Sequence, residues 1–184
     1  MKKLIIALMA ASLLWCRPVL NGRTVYLAME DDILTLDPFL HDDSITHSVL
    51  SNIFDALVSF DAEMRIVPAL AISWENHDEK TWRFYLRPGV KFHDGRKLTS
   101  KDVQYSLERA AKTKVGHYLS SVSRINIIDK MTLEIITEKP APVLLNKLCF
   151  ISIIPANSPD PVISPVGTGA YRFVSYAKGG EMAL

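Results

Sequence analysis

Short runs in which hydrophobic and polar residues alternate occupy much of this chain, and polar turns separate them. The clearest pair of runs spans residues 72–86, and its apolar members are Ile72, Trp74, Trp82, Phe84 and Leu86. Because successive side chains of a strand point to opposite faces, this spacing predicts a β-hairpin with one buried face. Similar alternation predicts a hairpin that turns at 129–130, and a shorter one that joins 58–60 to 66–67.

Other stretches carry apolar residues at helical spacing. The first covers 44–57, with Ser44 as the expected N-cap. The second begins at Thr99, which forms a capping-box pattern with Asp102, and continues to about residue 112. A short helix is predicted within 141–150, and the segment 112–118 is predicted to be a polar loop. Helices mixed with antiparallel hairpins predict the α+β (mixed α/β) class.

The last twenty residues predict a strand without a neighbour. Gly167 and Gly169 indicate a tight turn where a side chain would clash, and alternation from Tyr171 onward predicts a strand. A Gly-Gly turn at 179–180 follows, but we expect no return strand after it. Apolar residues such as Phe173 and Val174 are therefore predicted to be exposed.

The first sixteen residues resemble a secretory signal peptide. Two lysines precede an uninterrupted apolar run at 4–15, which is too short to cross a bilayer of about 30 Å as a helix. Cys16 lies where a bacterial lipoprotein carries its lipidated cysteine, although Trp15 stands where a small residue is usual. Export is predicted, and lipid anchoring or simple cleavage are both open. The first strand of the mature domain is predicted at 24–29.

The composition excludes some function classes. The formal net charge is +1, so nothing indicates a nucleic-acid partner. The sequence lacks GxSxG, HExxH, a Walker loop and a CxxC pair, so neither an enzyme nor a cofactor is predicted. Cys149 lies in an apolar run and is predicted to be a buried thiol.

One cluster has the residue types of a metal site: His41, Asp42, Asp43 and His47. Imidazole and carboxylate groups are ligands of zinc, nickel and iron, so a metal-dependent hydrolase using these four residues is an alternative function. The competing interpretation is structural, because carboxylates just before a helix complement the helix dipole. We favour the structural interpretation.

Five stretches in order resemble one protein family. They are TLDP at 35–38, NIFDALVSFD at 52–61, IVPALAISWE at 66–75, TWRFYLRPGVKFHDGRKLTSKDVQYSLER at 81–109 and PVGTGAYRFVSY at 165–176. This pattern resembles the extracytoplasmic solute-binding proteins of family 5, which serve ABC importers of oligopeptides, dipeptides and nickel. The long central block is the most specific of the five.

The resemblance implies the N-terminal part of a two-lobed periplasmic-binding-protein clamp of type II. Residues 23–60 would open the first lobe, 61–150 would form an inserted subdomain, and 151–184 would return to the first lobe. The second lobe would be missing, so we expect a fragment. The implied function is capture of a peptide in the periplasm, or at the outer face of the cytoplasmic membrane, and delivery to permease subunits. A nickel complex is the alternative ligand within the family.

The resemblance also implies ligand contacts at three places in this chain. They are the turn at Met29, Glu30 and Asp31, the segment with His41, Asp42 and Thr46, and the loop with His117 and Tyr118. Backbone groups would make most hydrogen bonds, because a site for varied peptides reads the main chain. With only this wall of the cavity, we expect weak or absent binding.

Overall fold

The computed structural model describes residues 29–184, and Asp31–Leu184 forms one unit. The predicted signal peptide, Cys16 and nearly all of the predicted strand at 24–29 lie outside the described residues. Met29 and Glu30 belong to a second unit, Met1–Glu30, and both are exposed.

An antiparallel sheet of four strands carries both long predicted hairpins. Its strands are β3 (Ala71–Asp78), β4 (Thr81–Leu86), β5 (Val122–Ile127) and β6 (Thr132–Thr137), in the order β3-β4-β6-β5. Phe84 lies opposite Leu133, and both are fully buried on the core face. Ile72 was predicted on that face but is 43% exposed, because a bulge between Ala71 and Ser73 interrupts the alternation.

Helix α2 (Ser100–Ala110) contributes Val103 and Leu107 to the core. The predicted capping residues are confirmed at its start. The backbone N–H and the hydroxyl of Thr99 donate to Asp102 Oδ2 at 2.8 and 2.7 Å. Asp102 Oδ1 accepts from the backbone N–H of Ala156 at 2.8 Å, so this carboxylate also ties the helix to the segment at 156.

Helix α1 (Ser44–Leu50) is shorter than predicted, and its N-cap is Asp43, not Ser44. Asp43 Oδ1 accepts from the backbone N–H of Thr46 at 2.8 Å. The helix ends early because the Asn52 amide donates to the carbonyl of residue 48 at 2.8 Å and takes over its final turn. The predicted short hairpin follows as β1 (Val58–Phe60) and β2 (Ile66–Pro68).

The predicted polar loop at 112–118 is instead a 3-10 helix at Lys114–Leu119. Its first and last turns are anchored because Val115 and Leu119 are buried in the core. The predicted short helix is confirmed as α3 (Leu144–Leu148), which contacts the 3-10 helix. Over residues 29–184, none of the helices is long and apolar enough to cross a membrane.

The chain ends in a hairpin that we did not expect. Strand β7 (Ser175–Tyr176) pairs with β8 (Met182–Ala183), so the Gly-Gly turn does have a return strand and the strand predicted from residue 171 is shorter. Gly179 turns with a φ of +70° and donates its N–H to Asp32 Oδ2 at 2.6 Å. Val174 is 67% exposed, as expected. The same expectation was wrong for Phe173, because its side chain is half-buried and packs against the core.

Candidate functional site

Two hydrogen-bonded clasps hold the segments around the candidate site. In the first, which we call the glycine clasp, residues 167–169 lie directly on residues 52–55. The backbone N–H of Gly169 donates to the carbonyl of Ile53 at 2.9 Å, and the Thr168 hydroxyl donates to Asp55 Oδ2 at 2.8 Å. A Cβ on Gly167 would lie 1.9 Å from the carbonyl oxygen of Ile53. The predicted steric need for glycine is confirmed.

His93 secures the glycine clasp from its other side. Its backbone N–H donates to the carbonyl of Gly167 at 2.8 Å. Its ring Nδ1 accepts from the N–H of Gly167 at 3.4 Å, which assigns the proton to Nε2, and Nε2 donates to the carbonyl of Gly169 at 2.9 Å. The FHDG and GTG motifs therefore form one hydrogen-bonded unit.

The second clasp, which we call the Asp37 clasp, is a buried ion pair. Asp37 is fully buried, and its Oδ2 accepts from Arg109 and from the backbone N–H of Val162, the latter at 2.8 Å. Arg109 also donates to the carbonyl of Pro159 at 3.1 Å and lies over the ring of Phe39 at 5.5 Å. This clasp joins the TLDP segment to α2 and to the segment at 159–162.

Six ring-bearing residues from four segments form a contiguous set. We call it the aromatic row, and its members are His41, His47, Phe60, Phe150, Tyr118 and His117. Phe150 is the central member, because Tyr118 stacks on it at 5.1 Å and 14°. The rings of His47 and Phe60 lie 5.6 and 6.0 Å from the same ring. These offset and tilted geometries are those that aromatic pairs prefer.

The two ends of the aromatic row are histidines. The rings of His41 and His47 lie 6.3 Å apart, and those of His117 and Tyr118 lie 4.0 Å apart. His41 is 4% exposed, with Nδ1 3.6 Å from Asp43 Oδ2, and neither atom has a hydrogen-bond partner among the described residues. Burial lowers the pKa of His41 and of His47, although the Asp43 carboxylate opposes this for His41.

Asp42 adds a negative charge at this surface. It is exposed, whereas Tyr118 is half-buried. Burial raises the pKa of Tyr118, and the charge of Asp42 raises it further. The fold therefore brings together four of the predicted ligand residues: His41, Asp42, His117 and Tyr118.

The other predicted ligand residues have different surroundings. Thr46 is fully buried, and its hydroxyl accepts from the backbone N–H of Leu34 at 3.0 Å, so it supports the turn before α1. Asp31 is exposed, as are Met29 and Glu30 in the other unit.

Sequence reasoning missed Phe150 and Phe60 as site residues and considered His47 only as a metal ligand. No local signal identifies Phe150, because its role depends on contacts with residues more than thirty positions away along the chain.

The cluster considered as a metal site does not assemble into one. Among residues 29–184, no group of three or more His, Cys, Asp or Glu side chains is arranged to hold a metal ion. Asp43 serves as the N-cap of α1, as the structural interpretation expects of a carboxylate there. The geometry therefore gives the metal-dependent hydrolase no support.

The buried histidines predict a pH dependence of stability. Since burial lowers the pKa of His41 in the folded state, the unfolded chain binds more protons below its ordinary pKa of about 6.5. Stability is therefore expected to fall as the pH is lowered through that value. His41→Gln should reduce this loss, as measured by urea unfolding between about pH 7.5 and pH 5.5. His77→Gln, at an exposed position on β3, is the control, and an equal effect of both changes would contradict the prediction.

Comparison with known proteins gives consistent matches. Residues 65–184 match the family model described as bacterial extracellular solute-binding proteins, family 5 Middle. The chain is 29% identical over 171 residues to the glutathione-binding protein GsiB of Pectobacterium atrosepticum, covering 86% of this chain and 33% of that protein.

Two solved structures share the fold. AgaA of A. tumefaciens R10, in complex with agropinic acid, aligns with a TM-score of 0.77 and 32% identity, covering 83% of this chain and 33% of AgaA. NikZ of Campylobacter jejuni, in complex with Ni(L-His), aligns with a TM-score of 0.73 and 27% identity, covering 82% of this chain and 32% of NikZ. This chain thus spans about a third of the length of the relatives it matches.

Proposed function

The chain belongs to the bacterial extracellular solute-binding proteins of family 5, and we propose on this premise that it serves as the binding component of an ABC importer for peptides. It captures its ligand outside the cytoplasmic membrane and delivers it to the permease subunits without catalysing a reaction. One solved relative is described as an ABC transporter-associated periplasmic binding protein in complex with a peptide, DppA from Helicobacter pylori. GsiB, a glutathione-binding protein, indicates that short peptides are within the family's range.

The observation that carries the proposal is the aromatic row with Asp42 beside it. Ring faces offer contact area that does not depend on the charge of a ligand side chain, so they suit ligands of varied sequence. The exposed carboxylate of Asp42 complements the α-ammonium group of a peptide. Both features lie on one surface, built from the start of α1, the 3-10 helix and the end of α3.

This surface is proposed to be one wall of the clamp. Residues 23–60 open the first lobe, 61–150 form the inserted subdomain and 151–184 return to the first lobe, while the remainder of a family-length protein supplies the opposite wall. Closure is then driven by contacts that a ligand makes only in the closed state. Thr46 and the two clasps position this wall and do not touch the ligand.

We further propose that residues 1–16 direct export to the periplasm or to the outer face of the cytoplasmic membrane. Anchoring through a lipid on Cys16 and release after simple cleavage are the two alternatives. Mass spectrometry of the mature N-terminus distinguishes them, because a lipidated cysteine carries the added mass of its acyl chains.

The proposed function is tested by titrating this chain with short peptides while recording amide NMR shifts. With one wall, we expect dissociation constants in the millimolar range, or about 4 kcal/mol of binding free energy. The shifts should map to 41–47, 117–118 and 150, and Tyr118→Ala should abolish them. Tyr171→Ala, an exposed tyrosine outside the aromatic row, is the matched control and should leave them unchanged. The absence of localised shifts would contradict the function, and micromolar affinity would contradict its restriction to one wall.

A nickel–histidine complex is the second candidate ligand. The observation that favours it is the pair of neighbouring imidazoles, His41 and His47, together with the likeness to NikZ. The same titration with Ni(II) and L-histidine separates the two candidates. Line broadening at these two histidines without any response to peptides would favour the nickel complex.

A further inference from the structure

A cavity of about 190 Å³ lies behind the aromatic row. It opens to solvent and is bounded by the end of α1, strand β1 and the residues that follow α3. Three members of the aromatic row, His47, Phe60 and Phe150, line it. The cavity and the proposed ligand wall therefore share the same side chains, and Phe150, which is 36% exposed, lies between them and solvent.

Aromatic and other apolar side chains make up just over half of the lining of this cavity, and Ser51, Ser59 and Ser152 contribute hydroxyl groups. Phe54 is 3% exposed and contributes a second phenyl ring, and Ala69 adds a methyl group. Burial raises the pKa of the Cys149 thiol to about 11, so the thiol stays neutral at physiological pH and acts as a small apolar group. The lowered pKa of His47 favours its neutral imidazole. The one carboxylate in the lining, Asp55, accepts from the Thr168 hydroxyl at 2.8 Å.

The size of the cavity defines the groups that it can accept. A cavity of roughly 150 Å³ lined by apolar side chains holds benzene. The cavity described here is larger, at about 190 Å³, so a phenyl or branched aliphatic group fits. A negatively charged group is disfavoured, because the lining holds the Asp55 carboxylate and neither Lys nor Arg.

We propose that this cavity is a side-chain subsite, which takes one small uncharged aromatic or branched aliphatic group of a ligand held on the aromatic row. The proposal rests on the proposed function for its ligand, but the cavity itself is testable without a peptide. Burying a phenyl group there should strengthen binding by about tenfold to a hundredfold over a methyl group at the same ligand position.

The first experiment uses fluorobenzene as a probe, observed by fluorine NMR. We expect saturable binding to the wild-type chain and at least a tenfold loss in Ala69→Leu, which fills the cavity. Ala170→Leu, at an exposed position outside the lining, is the matched control and should bind as the wild type does. If Ala69→Leu does not fold, Ser59→Leu fills the cavity from an exposed position of β1. Binding that is unsaturable, or equal in a folded filled variant, would overturn the proposal.

The second experiment compares Ala-Phe-Ala with Ala-Ala-Ala in the wild type and in the filled variant. The wild type should prefer the phenylalanine peptide by about tenfold or more, and filling the cavity should remove that preference. Peptide binding with no preference, and no binding of fluorobenzene, would overturn the subsite while leaving the proposed function intact. Binding of fluorobenzene without binding of any peptide would overturn the proposed function and leave the cavity as a site for small apolar ligands.

Discussion

Asp37→Ala is expected to lower the free energy of unfolding by about 3–5 kcal/mol, because it leaves a buried guanidinium without its principal partner. Arg109 would keep Asp160, but that carboxylate side chain is 73% exposed and offers little compensation. The N–H groups of Phe39 and Val162 would also lose the acceptor that Asp37 provides. Urea unfolding, monitored by tryptophan fluorescence, measures the change.

A double-mutant cycle separates this ion pair from general damage to the core. Arg109→Met removes the charge and keeps an apolar stem over Phe39. We expect the double variant to cost less than the sum of the two single variants, by about 1 kcal/mol or more. Strict additivity would show that the two residues do not stabilise the fold as a pair, and would contradict the Asp37 clasp.

Gly167→Ala is expected to destabilise the chain by about 3 kcal/mol or more, because the new methyl group meets backbone that cannot move aside easily. Its Cβ would lie 1.9 Å from the carbonyl oxygen of Ile53 and 2.8 Å from the ring of Phe54. Relief of this overlap requires residues 167–169 to move away from 52–55, which would break their hydrogen bonds. The same urea unfolding experiment measures the loss.

Gly95→Ala is the matched control for this steric argument. Gly95 has a φ of +89°, and a Cβ there would meet nothing within 4 Å. Its replacement therefore tests backbone strain alone, with an expected cost of about 1–2 kcal/mol. Equal losses at the two positions would indicate that contact with Ile53 is not what requires glycine at position 167.

The sequence pattern alone was sufficient to predict those elements whose interacting residues lie close together along the chain. The hairpins β3–β4 and β5–β6 follow from alternation over fewer than twenty residues, and the start of α2 follows from Thr99 and Asp102. The predicted end of α1 was wrong for two reasons. The Asn52 amide takes the carbonyl of residue 48, and the carbonyls of residues 52–53 accept from the N–H groups of Tyr171 and Gly169. Helical periodicity cannot reveal a partner that lies more than a hundred residues further along the chain.

Two further differences between the predicted and the observed elements also arise from contacts that form only in the folded chain. The segment at 112–118 looks polar, but burial of Val115 and Leu119 in the core holds it in helical turns. The final hairpin was missed because its strands have only two residues each, and Asp32 secures its turn from the opposite end of the described chain. Strands this short carry no periodic signal.

The candidate site was predictable only in part. His41, Asp42, His117 and Tyr118 follow from the family resemblance. The structure connects the two histidines and Tyr118 through the aromatic row, with His41 buried at one end and Asp42 next to it in sequence. Their connection through Phe150 could not be predicted, because no spacing rule relates residue 150 to residues 47 and 118. The two clasps explain why this surface forms: they fix the chain on both sides of α1, next to the 3-10 helix.

The central claim is that the aromatic row contacts a bound peptide, and photo-crosslinking tests it most directly. A tripeptide that carries photoleucine, irradiated with the chain and mapped by mass spectrometry, should label residues 41–47, 117–118 and 150. Excess unlabelled peptide should suppress this labelling. Adducts concentrated on the outer face of the sheet, for example at Arg83 and Glu134, or labelling that competitor does not suppress, would contradict the claim.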